Sequence, residues 1–92
     1  MKATKIKMFD GKRNSNNLLE IESIYLEGAI DKPGYYRKEI IHDFIYKNPS
    51  SIKVNIYPYP KLIPMTSTRG QKYVKSVSNG IVEDNLLALP RE

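Results

Sequence analysis

The stretch from Gln71 to Pro90 constrains the fold most, because it combines a strand pattern, a turn and an apolar closing segment. Residues 72–77 are rich in β-branched and aromatic side chains, which is typical of a strand. Residues 78–80 read Ser-Asn-Gly and predict a tight turn, since Asn-Gly accommodates positive φ. The closing segment offers three leucines to the core: Leu86, Leu87 and Leu89. We therefore expect the C-terminus to close a small core, with an exposed docking tail as the alternative.

Composition limits what such a chain can be. At 92 residues there is room for a single domain over residues 1–92. The chain has no cysteine, which excludes disulfides and thiolate metal sites and favours a reducing, cytoplasmic location. No apolar run approaches the roughly 20 residues that span a bilayer, and the basic N-terminus is not followed by the apolar stretch of a signal peptide.

The first third of the sequence predicts two strands. Residues 3–9 alternate, with Ile6 and Met8 on one side and lysines on the other, as in a half-buried strand. Residues 10–17 are rich in Gly and Asn and predict a hairpin loop. A second strand is expected from Leu18 to Glu27, and because its apolar parity switches midway, we expect a β-bulge near Ser23.

From Tyr35 to Asn48 the apolar period changes to that of a helix. The predicted apolar face consists of Tyr36, Ile40, Ile41, Phe44 and Ile45. Arg37, Lys38, Asp43 and Lys47 are expected to fill the opposite, polar arc. Pro49 pushes Asn48 out of helical geometry and should end the helix there.

Three further strands are expected, at residues 52–57, 62–67 and 72–77. The predicted order is β-β-α-β-β-β. The fold class is therefore α+β: a small, mostly antiparallel twisted sheet with one amphipathic helix packed on it.

The C-terminal third contains Tyr73-Val74-Lys75-Ser76-Val77, then Gly80, then the segment Asp84-Asn85-Leu86-Leu87-Ala88-Leu89-Pro90. In these residues the chain resembles a family of small bacterial proteins of unknown function. The resemblance implies a small α+β fold and no catalytic activity. The chain departs from the family pattern in its loop at 10–17 and in the proline-rich segment 58–64.

No pattern in the chain predicts catalysis. His42 is the only histidine, and a zinc site or a nucleophile triad requires more nitrogen or sulfur groups than the chain supplies. By periodicity His42 should lie on the solvated arc of the helix. Glu20 and Glu22 share a strand face, but nothing orients them as an acid–base pair. We therefore expect no catalytic residue, no metal and no cofactor.

The strongest functional candidate is the surface around the third predicted strand. Its parity places cations and aromatic rings together on the outward side, and two lysines of the fifth strand can add charge nearby. The full set is Lys53, Asn55, Tyr57, Tyr59, Lys61, Lys72 and Lys75. Such tyrosines suit a protein interface, or they simply cover a sheet edge beside two prolines. Alternating rings and lysines also suit single-stranded nucleic acid.

The sequence as a whole favours a non-enzymatic interaction protein of a bacterium or its phage. The expected partner is another protein, or a second copy of the chain that pairs along an exposed strand edge. The alternative is a single-stranded nucleic-acid-binding protein, in keeping with the net charge of +5. No membrane contact is expected.

Overall fold

A computed structural model gives the structure of the chain and describes residues 1–77 and 84–92. The turn predicted at 78–80 lies outside the described residues. Within them the chain forms six strands, one α-helix and two short 3₁₀ helices. The strands are β1 Lys2–Met8, β2 Ile21–Glu27, β3 Gly34–Arg37, β4 Lys53–Val54, β5 Leu62–Thr66 and β6 Lys72–Ser76. The α-helix, α1, spans Lys38–Lys47, and the 3₁₀ helices span Leu18–Glu20 and Asn85–Ala88.

The strands form two sheets, and the predicted α+β class is confirmed. The larger sheet has the order β3-β2-β1-β4, and the smaller one pairs β5 with β6. All pairs are antiparallel except β1–β4, which is parallel. An isolated bridge between Lys53 and Lys61 links the two sheets, so β4 is paired on both of its sides.

The predicted hairpin between the first two strands is present, with one difference at its second arm. Residues Leu18–Glu20 form a 3₁₀ helix rather than the start of the strand. The Asn17 side chain accepts a hydrogen bond from the Leu19 amide at 3.0 Å, which caps this turn. The register then slips between the pairs Lys7–Ser23 and Met8–Ile21, and this irregularity lies where the parity switch predicted a bulge.

The helix begins later than predicted, because a strand comes first. Residues Gly34–Arg37 form β3 at the edge of the larger sheet, and α1 follows directly at Lys38. The predicted placement of Tyr36 on the helix was therefore wrong. Its ring instead packs against the core from β3, and its hydroxyl donates to the Lys32 carbonyl.

The buried face of α1 also differs from the predicted one. Ile41 and Ile45 are buried, but Ile40 is 56% exposed and Phe44 is 39% exposed. Lys38 and His42, which the periodicity placed on the polar arc, are buried. The later helix start and the second sheet together rotate the covered arc by about one residue, since both sheets pack against α1.

The core joins both sheets, the helix and the C-terminal segment. Its buried apolar residues are Ala3, Ile6, Met8, Ile21, Ile24, Leu26, Ile41, Ile45, Ile52, Val54, Leu62, Val74, Leu86, Leu87 and Leu89. The three closing leucines are all buried, which confirms that the tail closes the core. Asp84 starts their 3₁₀ helix by accepting a hydrogen bond from the Leu86 amide at 2.9 Å. It also accepts one from the Ser76 hydroxyl at 2.6 Å, which ties the tail to β6.

Candidate functional site

The third predicted strand is mostly a projecting loop. Only Lys53 and Val54 form a strand, and residues 55–60, the tyrosine loop, then reverse the chain. The Val54 amide donates to the Pro60 carbonyl at 2.8 Å, and the Leu62 amide donates to the Ile52 carbonyl at 2.9 Å. These two hydrogen bonds bring both ends of the loop together, so the loop projects from a fixed base at the junction of the two sheets.

The tyrosine loop presents two aromatic rings to solvent. Tyr57 is 81% exposed and Tyr59 is 53% exposed, and their ring centroids lie 6.1 Å apart in an edge-to-face arrangement. The backbone of Tyr59 is left-handed, with φ of 59°, a conformation that is uncommon for an aromatic residue. Exposed rings held by an ordered backbone provide contact area at low entropic cost.

A row of three lysines lies beside this loop. Lys2 of β1 is opposite Lys53 of β4 in the parallel ladder, and Lys53 is opposite Lys61 across the isolated bridge. All three side chains are exposed, and directly opposed residues point to the same face. Neighbouring strands lie about 4.8 Å apart, so this lysine row extends roughly 10 Å across the sheet.

The lysine row has little internal charge compensation. In the described part of the chain, none of its ammonium groups lies within ion-pair distance of a carboxylate. Glu27 is opposite Lys2 on the β2 side, but its carboxylate accepts the Thr4 hydroxyl at 3.1 Å instead. The Lys61 ammonium donates to the Ser50 hydroxyl at 3.3 Å. Like charges directly opposite one another are destabilising, so an anion bound across the row would relieve their repulsion.

A shallow cleft joins the lysine row to the aromatic loop. It has a volume of about 330 Å³, and its lining includes Lys2, Lys53, Asn55 and Tyr59. Cationic, amide and aromatic groups therefore meet in one concave surface. These are the groups that contact phosphate, base edge and base face in single-stranded nucleic acids.

The structure brings most of the predicted surface residues together. Lys53, Asn55 and Tyr59 share the cleft, Tyr57 stands beside Tyr59, and Lys61 completes the lysine row.

Of the two predicted β6 lysines, Lys75 is near this group and Lys72 is not. Lys75 pairs with Ile63, two residues beyond Lys61, and is half-buried. Lys72 lies at the other end of the β5–β6 ladder. The Lys61 carbonyl accepts a hydrogen bond from the amide of Val77, the residue after β6. Lys72 is five residues from Val77, so along the strand it lies about 16 Å from the position of Lys61.

Lys72 instead holds the helix to the smaller sheet. Its ammonium lies 2.8 Å from Asp43 Oδ1. The hydrogen bonds from Lys72 and from the His42 ring hold the pKa of the Asp43 carboxyl below its ordinary value. Because its charge is already paired, Lys72 is poorly placed to attract an anionic ligand.

Sequence reasoning missed Lys2. Strict alternation from Ile6 and Met8 places every even-numbered residue of β1 in the core, including Lys2. The ladder shifts its register between Ala3 and Lys5, so the parity reverses: Ala3 is buried and Lys2 is exposed. The hydrophobicity of Ala3 is the only signal of this reversal, and it is weak because alanine occurs on both faces of sheets.

His42 and Lys38 are structural rather than solvated, which corrects the prediction for the polar arc. The His42 ring stacks on Tyr46 with centroids 6.5 Å apart, and its Nδ1 lies 3.0 Å from Asp43 Oδ1. The Lys38 ammonium lies 2.9 Å from Glu39 Oε2 and 4.7 Å from the centre of the Phe9 ring. Both buried polar groups therefore have partners, as buried polar groups require.

The described residues contain neither a metal-binding cluster nor a membrane-spanning helix. No group of His, Cys, Asp and Glu side chains there is arranged to hold a metal ion. No helix in the same part of the chain has the length and apolar character needed to cross a bilayer.

Comparison with known proteins supports one part of the resemblance noted from the sequence, namely that the chain belongs to a family of unknown function. Neither the curated proteins nor the solved structures contain a match to the chain. A family model described as "Protein of unknown function (DUF3892)" matches residues 4–90. This range includes Lys53 and Lys61 of the lysine row, the tyrosine loop and the closing leucines, but not Lys2. Because the match extends over nearly the whole chain, the protein belongs to the DUF3892 family of proteins of unknown function.

Proposed function

We propose that this chain is a non-enzymatic binding protein that holds single-stranded nucleic acid on the lysine row and the tyrosine loop. The observation that carries the proposal is the uncompensated row of Lys2, Lys53 and Lys61 beside two exposed tyrosine rings. We place this activity in a bacterial cytoplasm, which the cysteine-free composition favours.

The lysine row and the tyrosine loop would contact different parts of the nucleic acid. The lysine ammonium groups bind backbone phosphates and release counterions, which supplies sequence-independent affinity. Tyr57 and Tyr59 offer ring faces on which unstacked bases can lie. Asn55 lies in the cleft with Lys53 and Tyr59, and its side-chain amide can donate and accept hydrogen bonds at the edge of a base. No bond is made or broken, so no catalytic group is needed.

A protein partner is the second candidate, and it was the one that the sequence favoured. The exposure of Tyr57, at 81%, supports it, because tyrosine is enriched at protein interfaces. The lysine row favours nucleic acid over a protein, since a protein partner would have to present several carboxylates about 5 Å apart to pair with the three ammonium groups. Salt dependence separates the two candidates.

A salt titration with a fluorescent oligothymidylate tests the proposal. If the three lysines each neutralise one phosphate, the logarithm of the binding constant should fall with the logarithm of salt concentration with a slope of about −2. Lys53→Ala should reduce the steepness of this slope by about 0.7. Lys72→Ala is the matched control, because it removes the same charge from a residue that lies outside the row.

Three results would contradict the proposal. Absence of binding at low salt would remove nucleic acid as the ligand. Equal loss in the Lys53→Ala and Lys72→Ala variants would mean that only net charge matters. Binding of polyglutamate at least as tight as that of the oligonucleotide would instead favour the acidic protein partner.

A further inference from the structure

Among residues 1–77 and 84–92, one edge of the larger sheet has no backbone partner. The other edge, β4, is paired to β1 and to the chain around Lys61, whereas β3 pairs, within these residues, only with β2. Outside that ladder and the first turn of α1, the backbone groups of Gly34–Tyr36 make no hydrogen bond to the described residues. Alternate N–H and C=O groups of an edge strand point away from the sheet and are free to pair with another strand.

An apolar groove lies between α1 and the end of the larger sheet at which β3 begins, and its lining extends to Met1, Leu26 and Ile52. Ile40, at 56% exposed, and Phe44, at 39%, stand one helical turn apart on α1. Together with Ile30 and with Tyr36 of β3 they line a groove of about 360 Å³. Contiguous exposed apolar side chains such as these are typical of surfaces that bind a partner.

We infer that a second copy of the chain occupies this edge, with the two β3 strands paired antiparallel about a two-fold axis. Antiparallel pairing about an axis perpendicular to the sheet places both helices on the same face of one continuous sheet. Since α1 contacts β3 as well as β2, we expect the exposed Ile40 and Phe44 of each copy to lie close to the seam. Edge pairing and apolar burial thus occur in a single interface.

The charges at the two ends of β3 favour a second copy over an unrelated partner. Asp31 precedes the strand at the rim of the groove, and Arg37 ends it. Antiparallel self-pairing brings the Asp31 end of each strand towards the Arg37 end of the other, so the same attraction forms twice. Arg37 is available for it, since its Nε lies 3.9 Å from the Glu39 carboxylate, at the limit of ion-pair distance.

The paired strands of this interface lie away from the lysine row, and the apolar groove and the cleft share Met1 in their linings. In the order β3-β2-β1-β4, β3 and β4 lie three strand spacings apart, or about 14 Å. The inference therefore does not depend on the proposed function, and failure of either leaves the other intact.

Sedimentation equilibrium of the full chain, from micromolar to millimolar concentration, tests the inference. We expect a monomer–dimer equilibrium. Ile40→Glu should raise the dimer dissociation constant by at least about tenfold, because it places an unpaired carboxylate in the apolar seam. Tyr46→Glu is the matched control, because Tyr46 is 72% exposed on the same helix and does not line the groove. The dimer dissociation constant of this variant should equal that of the wild type.

Hydrogen exchange supplies a second measurement on the same samples. The β3 amides that point away from β2 should become more protected as the concentration rises, and Ile40→Glu should abolish this gain. A chain that stays monomeric at millimolar concentration would overturn the inference. So would a dimer that Ile40→Glu leaves intact, or one in which the β3 amides gain no protection.

Discussion

Replacing Leu86 by alanine should lower the free energy of unfolding by about 2–5 kcal/mol, the usual range for a fully buried leucine. Leu86 is 0% exposed and lies where the C-terminal 3₁₀ helix meets the core of the two sheets. A domain of this length is stabilised by roughly 5–14 kcal/mol in total. Urea denaturation followed by circular dichroism should therefore show a large fall in the midpoint.

Ala88, two residues after Leu86, provides the control for this experiment. Ala88 belongs to the same 3₁₀ helix but is exposed, so Ala88→Ser should change the free energy of unfolding by less than about 0.5 kcal/mol. If Leu86→Ala were as mild as this control, the tail would not close the core, and the packing described for it would be wrong.

Removing both rings of the tyrosine loop should weaken oligothymidylate binding by at least about 30-fold. The estimate follows from a stacking contribution of about 1–3 kcal/mol for each base on an aromatic side chain. Tyr57→Ala and Tyr59→Asn are the suitable changes, because asparagine tolerates the left-handed backbone found at residue 59. Fluorescence anisotropy at constant low salt measures the loss.

Tyr46→Ala is the matched control for the two loop tyrosines. Tyr46 is also highly exposed, but it lies on α1 and stacks on His42, so its removal should leave the affinity unchanged. Equal affinities in the double variant and the wild type would show that the rings do not contact the bases.

The sequence was a good guide wherever one face of an element is buried and the pattern is unbroken. Ile6, Met8 and the closing leucines have the predicted burial, and β5 and β6 lie within one residue of their predicted bounds. In such elements the side-chain period is set by the geometry of the strand itself, so a local pattern is sufficient.

The prediction was wrong where tertiary contacts decided the outcome. The edge strand β3 has only four residues, and one of them, Tyr36, also fits the apolar face of a helix. The strand pairs with β2 across a six-residue connection, but four residues are too few for an alternation that distinguishes a strand from a helix. Lys38 and His42 are buried because the two sheets enclose α1 on a wider arc than its apolar residues define.

The candidate site was predicted in part because its residues come from distant segments. The tyrosine loop and Lys53 are close in sequence and were found together. Lys2 joins them only through the parallel β1–β4 pairing, which places residues 51 positions apart side by side. Lys72 was included as a nearby charge on the fifth predicted strand, but its ion pair with Asp43 depends on how α1 packs.

Chemical-shift mapping is the most direct test of the proposed binding surface. On addition of oligothymidylate to ¹⁵N-labelled chain, the largest amide shifts should occur at Lys2, Lys53, Tyr57, Tyr59 and Lys61. Residues at the opposite end of the smaller sheet, such as Thr66 and Lys72, should not shift. Perturbations centred on that end, on β3, or on no defined surface would contradict the account.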